Sequence, residues 1–418
     1  MAPVADISFG MLELRFGLSK TMLLIAIVAL VAVAAWVSVR LTRRPGEKTK
    51  DLCIQSPGVA CLPENHEGMA ANQPYPLDAL PGGRDVITPY GSIRAYEWGP
   101  EEGERVLLVH GISTPAVALG DLAHEFANKG YRVMLFDLFG RGYSDAPKDL
   151  DYDARLYVTQ ILLVIASSKL PWTMFHLVGY SLGGGLSVSF TRYFPHLVSS
   201  LTLVASGGLI RPYHVGWQSR LLYNSGLIPE FLVKILVRRR LRPKDEQQPS
   251  AAGGADIMSA ETKKQLPKGD GDSNGGDGFD SAAISKSRPD VTVASVVRWQ
   301  VDHHEGFVTA FLSTIRNAPI YAALDDWKHL ARILEVRRRL ELGNKSECPP
   351  GIRSGKILII LGENDPVVVK EEMVEDAERV LGTDGVEFAV LPGGHEIPFT
   401  SSTRVASTID GFWHRYRL

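Results

Sequence analysis

Continuous apolar runs that alternate with helix-spaced segments constrain this chain most strongly. Runs such as RVLLV at 105–109 and FHLVGY at 175–180 lack the apolar–polar alternation of a half-exposed strand, which is typical of strands buried on both faces. Segments with helical spacing separate these runs, and the same alternation returns after residue 355. The sequence therefore predicts an α/β fold with a mostly parallel central sheet and helices on both faces.

The α/β pattern occurs in two blocks, 85–210 and 351–418, with a different kind of sequence between them. Residues 211–350 have helical patterns, so we expect a helical insertion between two late core strands. Within this insertion, about 243–290 is poor in apolar residues and rich in Gly, Asp and Ser, which predicts a disordered insert. Residues 51–84, rich in Pro, Gly and Asn without a clear period, are predicted to form a tether.

An apolar segment in the N-terminal region, 1–50, predicts a transmembrane anchor at about 21–39. Residues 22–39 contain Ser38 as their one polar residue, and as a helix they would be about 27 Å long, close to the hydrocarbon thickness of a bilayer. A cleaved signal peptide and a buried core helix are the alternatives. Lysines and arginines are more numerous after this segment than before it, which predicts a single-pass membrane protein whose large domain faces the cytosol, a lumenal large domain being the alternative.

Composition excludes several other classes of function. The net charge of −2 over 418 residues gives no argument for nucleic-acid binding. The three cysteines include no C-x-x-C pair, so neither a zinc site nor a redox motif is predicted. No cofactor or metal is expected. The apolar and then basic stretch 231–243 is predicted to be a solvated helix end, with a contact to an anionic membrane surface as the alternative.

A serine in the glycine-rich turn GYSLGGG, 179–185, is the candidate nucleophile. Ser181 stands between a predicted buried strand and a predicted helix, which is the setting of a nucleophile elbow. Gly179 and Gly183 flank the sharp turn, where a side chain would not fit, and we expect them to support it. The G-x-S-x-G pattern alone is short, and close helix–sheet packing is the alternative explanation for its glycines.

A histidine and a carboxylate after later strands complete a candidate Ser-His-Asp triad. His395 follows the last predicted strand through a Gly-Gly turn, and a serine hydroxyl needs such a base to take its proton. Asp365 follows the preceding strand, 30 residues upstream of His395, and is the preferred carboxylate to hold the imidazole. Glu363 competes for this role, but Pro366 marks the turn beside Asp365.

The loop after the first buried strand, HGIST, is the candidate second half of an oxyanion hole. Acyl transfer needs two backbone N–H groups aimed at the developing negative charge. Leu182, directly after the nucleophile, is expected to supply one of them, and Ile112 the other, with Ser113 as the alternative to Ile112. Gly111 would permit the close approach of this loop, and the side chain of His110 is predicted to be structural.

Five motifs in one order resemble those of the α/β-hydrolase superfamily. They are HG at 110–111, DLFGRGYSD at 137–145, GYSLGG at 179–184, GENDPVV at 362–368 and GGH at 393–395. The resemblance covers both α/β blocks and implies Ser181 as nucleophile, Asp365 as acid and His395 as base. It also implies that the region between the blocks is a lid over an apolar substrate pocket.

These features together predict a membrane-anchored serine hydrolase. We expect it to cleave carboxylic esters with lipid-like or otherwise apolar acyl groups through an acyl-enzyme intermediate. The same triad would also attack thioesters and amides. A cofactor-free perhydrolase or haloperoxidase-like enzyme on this triad is one alternative, and a non-catalytic ligand-binding protein of the same fold is another. The expected partners are the ester substrate and the membrane.

Overall fold

A central sheet of eight strands organises the part of the chain that the structure describes. The computed structural model describes residues 52–58, 73–214, 228–242, 277–341 and 350–416, which belong to one unit spanning Asp51–Leu418. The strands are β1 Cys53–Ile54, β2 Gly83–Thr88, β3 Gly91–Trp98, β4 Arg105–Val109, β5 Arg132–Phe136, β6 Ala146–Pro147, β7 Phe175–Tyr180, β8 Val198–Val204, β9 Ile357–Gly362 and β10 Val386–Leu391.

Helices follow most of the strands along the chain. They are α1 Gly120–Asn128, α2 Ala154–Ala166, α3 Leu182–Tyr193, α4 Glu230–Leu241, α5 Asp277–Ser281, α6 Val293–His303, α7 Phe307–Asn317, α8 Leu324–Glu341, α9 Lys370–Leu381, α10 Ile397–Thr400 and α11 Ser402–Arg415. Asp153 accepts a hydrogen bond from the Leu156 N–H at the start of α2, and Thr292 accepts one from the Ser295 N–H at the start of α6, which satisfies N–H groups that have no intrahelical partner.

The strand order of the large sheet is β10-β9-β8-β7-β4-β5-β3-β2. The six strands from β10 to β5 are mutually parallel, and β3 and β2 are antiparallel additions at one edge. The register between β4 and β7 pairs Leu107 with Leu177 and Val109 with Gly179. The predicted mostly parallel sheet is confirmed, and the carboxyl ends of its parallel strands lie along one edge, where ligand sites of such sheets form.

Helices cover both faces of this sheet, as predicted. Alternate residues of a strand point to opposite faces, so Val106 and Leu108 pack in one hydrophobic cluster with α1 and α11. Leu107 and Val109 pack in a second cluster with α2, α3, α8 and α9. All four side chains are buried, which explains why these strands are continuous apolar runs.

The predicted lid between β8 and β9 contains several helices, one of which belongs to the core. Helices α4 to α7 lie within the range of the predicted lid. Helix α8 instead packs against α3 and α9, and its Trp327, Leu330 and Leu334 are fully buried in the cluster on that face of the sheet. The predicted lid, 211–350, therefore includes a helix that covers the sheet, because an amphipathic pattern does not reveal what a helix packs against.

Part of the predicted disordered insert packs against the core. Residues 243–276 lie outside the described residues, but 277–290 are described and include the short helix α5. Phe279 is 2% exposed and Ile284 is fully buried in the cluster on the α1–α11 face. The prediction of disorder up to residue 290 is therefore wrong at its C-terminal end, because two apolar side chains find tertiary contacts that local composition does not report.

The predicted tether, 51–84, also includes residues packed on the core. Strand β1 pairs with β6 in a separate two-stranded sheet. Tyr75 is 1% exposed, and its ring lies edge-on to Tyr143 and Trp299 with centroids 5.1 and 6.0 Å away. Because one tyrosine ring can bury a large apolar area, a Pro- and Gly-rich segment needs few such residues to be fixed in place. Residues 59–72 lie outside the described residues.

The prediction of a single-pass membrane protein is not supported. Within the described ranges, no helix combines the length and the apolar character needed to cross a membrane. Helix α8 reaches 18 residues but has acidic residues in its first turn and arginines in its last turn. Residues 22–39, on which the prediction depended, lie outside the described residues.

Candidate active site

Ser181 lies on a strained turn between β7 and α3. Its φ is 52° and its ψ is −119°, a combination that non-glycine residues rarely adopt. Its N–H donates to the Val204 carbonyl at 3.1 Å, and its carbonyl accepts the N–H groups of Gly184 and Gly207 at 2.9 and 2.8 Å. These bonds fix the turn, which holds a half-buried serine side chain at the carboxyl end of the sheet.

The three glycines predicted to support the site lie where backbone segments approach closely. A Cβ on Gly183 would lie 2.1 Å from the Val109 carbonyl oxygen, and a Cβ on Gly179 would lie 2.4 Å from the Gly183 carbonyl oxygen. A Cβ on Gly111 would lie 3.3 Å from Ser181 Cβ. The loop that contains Gly111 therefore passes directly beside the candidate nucleophile.

Ser181, His395 and Asp365 form one hydrogen-bonded line. Ser181 Oγ lies 3.0 Å from His395 Nε2, and His395 Nδ1 lies 2.8 Å from Asp365 Oδ2. Because a carboxylate only accepts, Nδ1 carries the hydrogen and Nε2 is the acceptor for the serine hydroxyl. Asp365 Oδ1 accepts the N–H groups of Val367 and Val368 at 2.8 and 2.9 Å. The geometry is that of a nucleophile with an oriented base.

Of the two carboxylates considered for His395, the structure places Asp365 against it. Strand β9 ends at Gly362, and the loop that follows exposes Glu363 to solvent and turns Asp365 inward. Asp365 is 8% exposed and His395 is 4% exposed. The pair is therefore shielded from water, which strengthens its electrostatic interaction.

The two residues predicted to form the oxyanion hole lie in the nucleophile turn and in the loop that passes beside it. Leu182 is the first residue of α3, so its N–H has no intrahelical acceptor. Ile112 follows Gly111 in the loop beside Ser181, and no hydrogen bond from its N–H occurs within the described ranges. Anion binding by these two groups stays a prediction.

His110 is bonded to the backbone on both sides of its ring. Its Nδ1 donates to the Gly111 carbonyl at 2.8 Å, and its Nε2 accepts the Leu138 N–H at 2.8 Å. This pattern requires a neutral imidazole, and burial lowers the pKa of His110 to about 3. The side chain thus holds the loop in place, which is the structural position that the sequence suggested for it.

Aromatic side chains form one wall of the site around His395. Tyr180, which precedes the nucleophile, has its ring centroid 5.3 Å from that of His395 and donates its hydroxyl hydrogen to the His395 carbonyl at 3.0 Å. Phe279 of α5 lies 5.6 Å from the His395 ring and 6.0 Å from that of Phe399. A lid residue therefore packs on the candidate base.

Sequence reasoning missed three side chains that the structure brings to the site. Phe279 lies in a Gly- and Asp-rich stretch that masks it. Arg141 lies within a recognised motif but was given no role, although it is fully buried. Gln300 is fully buried on α6 among Val296, Val297 and other apolar residues. The sequence did carry one signal for Gln300: it is a polar residue on the apolar face of an amphipathic helix, and a buried polar side chain needs a hydrogen-bond partner.

Comparison with known proteins identifies the family. A family model described as alpha/beta hydrolase fold matches residues 104–402. A serine hydrolase-like protein of Danio rerio is 29% identical over 123 residues, and Lipase 1 of Psychrobacter immobilis is 32% identical over 112 residues. These matches cover 29% and 27% of this chain but only 37% and 34% of the two relatives, so the chain matches about a third of their length.

A solved structure extends the likeness of the fold over nearly the whole chain. The crystal structure of a membrane phospholipase A, a bacterial virulence factor, superposes with a TM-score of 0.52. The match covers 95% of this chain and 99% of that one at 16% identity. At this identity the likeness shows the shared fold alone.

Proposed function

Because the chain belongs to the alpha/beta hydrolase family, we propose that it is a serine hydrolase that cleaves carboxylic esters through an acyl-enzyme on Ser181. The observation that carries this proposal is the line from Asp365 through His395 to Ser181, with distances of 2.8 and 3.0 Å. A nucleophile, a base and an orienting carboxylate in this order are the requirements for acyl transfer by a serine.

In the acylation step, Ser181 Oγ attacks the ester carbonyl while His395 Nε2 takes its proton. Asp365 keeps Nδ1–H of His395 in the productive tautomer and stabilises the imidazolium that forms. The carbonyl oxygen of the tetrahedral intermediate accepts hydrogen bonds from the N–H groups of Leu182 and Ile112. His395 then protonates the departing alkoxide, and the acyl group stays on the serine.

In the deacylation step, a water molecule takes the place of the alcohol. His395 Nε2 removes a proton from this water, the resulting hydroxide attacks the acyl carbonyl, and the same two N–H groups bind the oxyanion. Ser181 leaves with the proton that His395 returns, which releases the carboxylic acid. Thioesters and amides would follow the same path with a different leaving group.

Esters with apolar acyl groups are the proposed substrates. An apolar side chain packs on the candidate base, since the Phe279 ring lies 5.6 Å from that of His395. Ile112 is half-buried in the loop beside Ser181. Burial of acyl methylenes against such side chains would contribute roughly 0.8 kcal/mol each. Similarity to a lipase supports the same substrate class.

The test is hydrolysis of p-nitrophenyl esters with acyl chains of two to twelve carbons by the wild-type chain and by Ser181→Ala. We expect turnover that rises with chain length from acetate to butyrate or beyond, and a loss of at least about 10⁴-fold in Ser181→Ala. Turnover that survives this substitution would contradict the proposal. Binding of fatty acids without turnover of any ester would support the non-catalytic alternative instead.

A further inference from the structure

Three successive carbonyls of the loop beside Ser181 are each held by a different buried side chain. His110 Nδ1 donates to the Gly111 carbonyl at 2.8 Å, and Arg141 Nε donates to the Ile112 carbonyl at 3.0 Å. Gln300 Nε2 donates to the Ser113 carbonyl at 2.8 Å. The three donors come from the loop itself, from the loop after β5 and from the lid.

These bonds fix the direction of the candidate oxyanion donor. A peptide unit is planar and trans, so a held carbonyl also fixes the N–H of the next residue. The bond to Gly111 thus sets the direction of the Ile112 N–H, and the bond to the Ile112 carbonyl fixes the peptide plane on the other side of this residue. The bond from Gln300 fixes the peptide plane that follows Ser113.

Two of the three holding side chains depend on the lid. Gln300 lies on α6, is fully buried, and its Oε1 also accepts the Gly142 N–H at 2.8 Å. Arg141 is fully buried and donates from Nη2 to Thr314 Oγ1 of α7 at 3.0 Å. Buried hydrogen bonds of this kind are costly to break without replacement, so α6 and α7 are tied to the loop that they touch.

We propose that Gln300, a lid residue, is a positioning residue for the oxyanion hole. Gln300 of α6 holds the Ser113 carbonyl, and Thr314 of α7 holds Arg141, which in turn holds the Ile112 carbonyl. Helices α6 and α7 thus help to fix the direction of the Ile112 N–H. This inference rests on the proposed function, since it concerns how the oxyanion of that reaction is bound.

A control variant removes a buried hydrogen bond outside this set. Thr191 of α3 is fully buried, and its Oγ1 donates to the Ser187 carbonyl at 2.8 Å within the same helix. This bond involves neither the loop that contains Ile112 nor any of the three side chains that hold it. Thr191→Val therefore removes a buried donor and leaves the support of the Ile112 N–H in place.

The experiment compares Gln300→Met with Thr191→Val in the full chain. The measurements are kcat and KM for p-nitrophenyl butyrate, the inhibition constant of an alkyl trifluoromethyl ketone, and the Tm of thermal unfolding. The ketone is chosen because its adduct with the serine carries an oxyanion. For Gln300→Met we expect a loss of roughly 10- to 100-fold in kcat, a KM within about threefold of wild type and a similarly weakened inhibitor. For Thr191→Val we expect a lower Tm with kcat within about threefold of wild type.

Wild-type kcat and inhibitor affinity in a folded Gln300→Met variant would overturn the inference, and so would an equal loss of kcat in Thr191→Val. If Gln300→Met does not fold, Thr314→Val tests the same support, because it removes the acceptor that Arg141 Nη2 uses on α7. Ser181→Ala in the same assay separates the two proposals. Activity that survives in Ser181→Ala refutes the proposed function. If Ser181→Ala loses activity while Gln300→Met keeps the wild-type kcat and inhibitor affinity, only this inference is refuted.

Discussion

The contact between α3 and β4 makes Gly183→Ala a sharp test of how the nucleophile turn is built. An added Cβ would lie 2.1 Å from the Val109 carbonyl oxygen and 2.7 Å from the His110 carbonyl oxygen. Both contacts are with backbone atoms, which cannot move aside as the end of a flexible side chain can. The start of α3 must therefore shift away from β4, and it carries the Leu182 N–H with it.

The size of this shift follows from the contact distance. The Cβ and the Val109 oxygen must separate by about 0.9 Å to reach the 3.0 Å below which real Cβ contacts essentially never occur. A displacement of about 1 Å in a catalytic group costs roughly 100-fold in rate. Overpacking costs about 1–3 kcal/mol, but alanine in place of glycine in a helix returns up to about 1 kcal/mol. We therefore expect a large loss of kcat/KM with a small loss of stability.

The matched control is Gly207→Ala, which lies equally close to the nucleophile. A Cβ on Gly207 would lie 3.4 Å from the Ser181 carbonyl oxygen, which is an ordinary contact, so kcat/KM should stay within about threefold of wild type. The assay is hydrolysis of p-nitrophenyl butyrate together with urea unfolding of both variants. Wild-type activity in Gly183→Ala, or an equal loss in Gly207→Ala, would refute the reasoning.

Three further substitutions test other contacts. Asp365→Asn should lower kcat about 10⁴-fold, because the amide would donate to His395 Nδ1 and impose the wrong tautomer, whereas the exposed Glu363→Gln should be neutral; the reverse order of effects in steady-state kinetics would show that the carboxylate is misassigned. Phe279→Ala should lower kcat/KM about tenfold by admitting water to the base, and an equal loss in the exposed lid variant Phe231→Ala would contradict this. Burial lowers the pKa of His304 to about 4, so its contribution to stability is complete above about pH 6.5 and is lost as pH falls toward 4. Between these pH values, the free energy of unfolding measured in urea should rise by about 1.4 kcal/mol per pH unit because of this residue. His304→Gln should lack this contribution, and the same pH dependence in that variant would show that His304 is not its source.

The sequence predicted the sheet and the loops that follow its strands because each rests on local chemistry. A strand buried on both faces must be a continuous apolar run, as at Leu107 and Leu177, and the parallel order places the residues after such runs at one edge of the sheet. Ser181, Asp365 and His395 could be named for this reason. The distances that join them could not, because they depend on the register of β7, β9 and β10.

The misjudged parts of the chain depend on contacts between segments remote in sequence. Phe279 is one aromatic residue in a polar stretch, and nothing near it in sequence indicates that it packs on His395 more than a hundred residues away. Helix α8 has the composition of an exposed helix, yet Trp327 is fully buried against the sheet-side helices. The role inferred for Gln300 likewise depends on its contact with the Ser113 carbonyl, which lies 187 residues away in sequence and which only the three-dimensional structure reveals.

The central claim is that Ser181 becomes acylated during turnover, and acid-quench mass spectrometry tests it most directly. The wild-type chain is mixed with p-nitrophenyl butyrate, quenched within the first turnovers, digested and analysed peptide by peptide. The proposed mechanism predicts a butyryl adduct on the peptide that contains Ser181, formed in step with the first burst of p-nitrophenol and absent from Ser181→Ala. Turnover of the ester with no adduct on this peptide, or with the adduct on another residue, would contradict it.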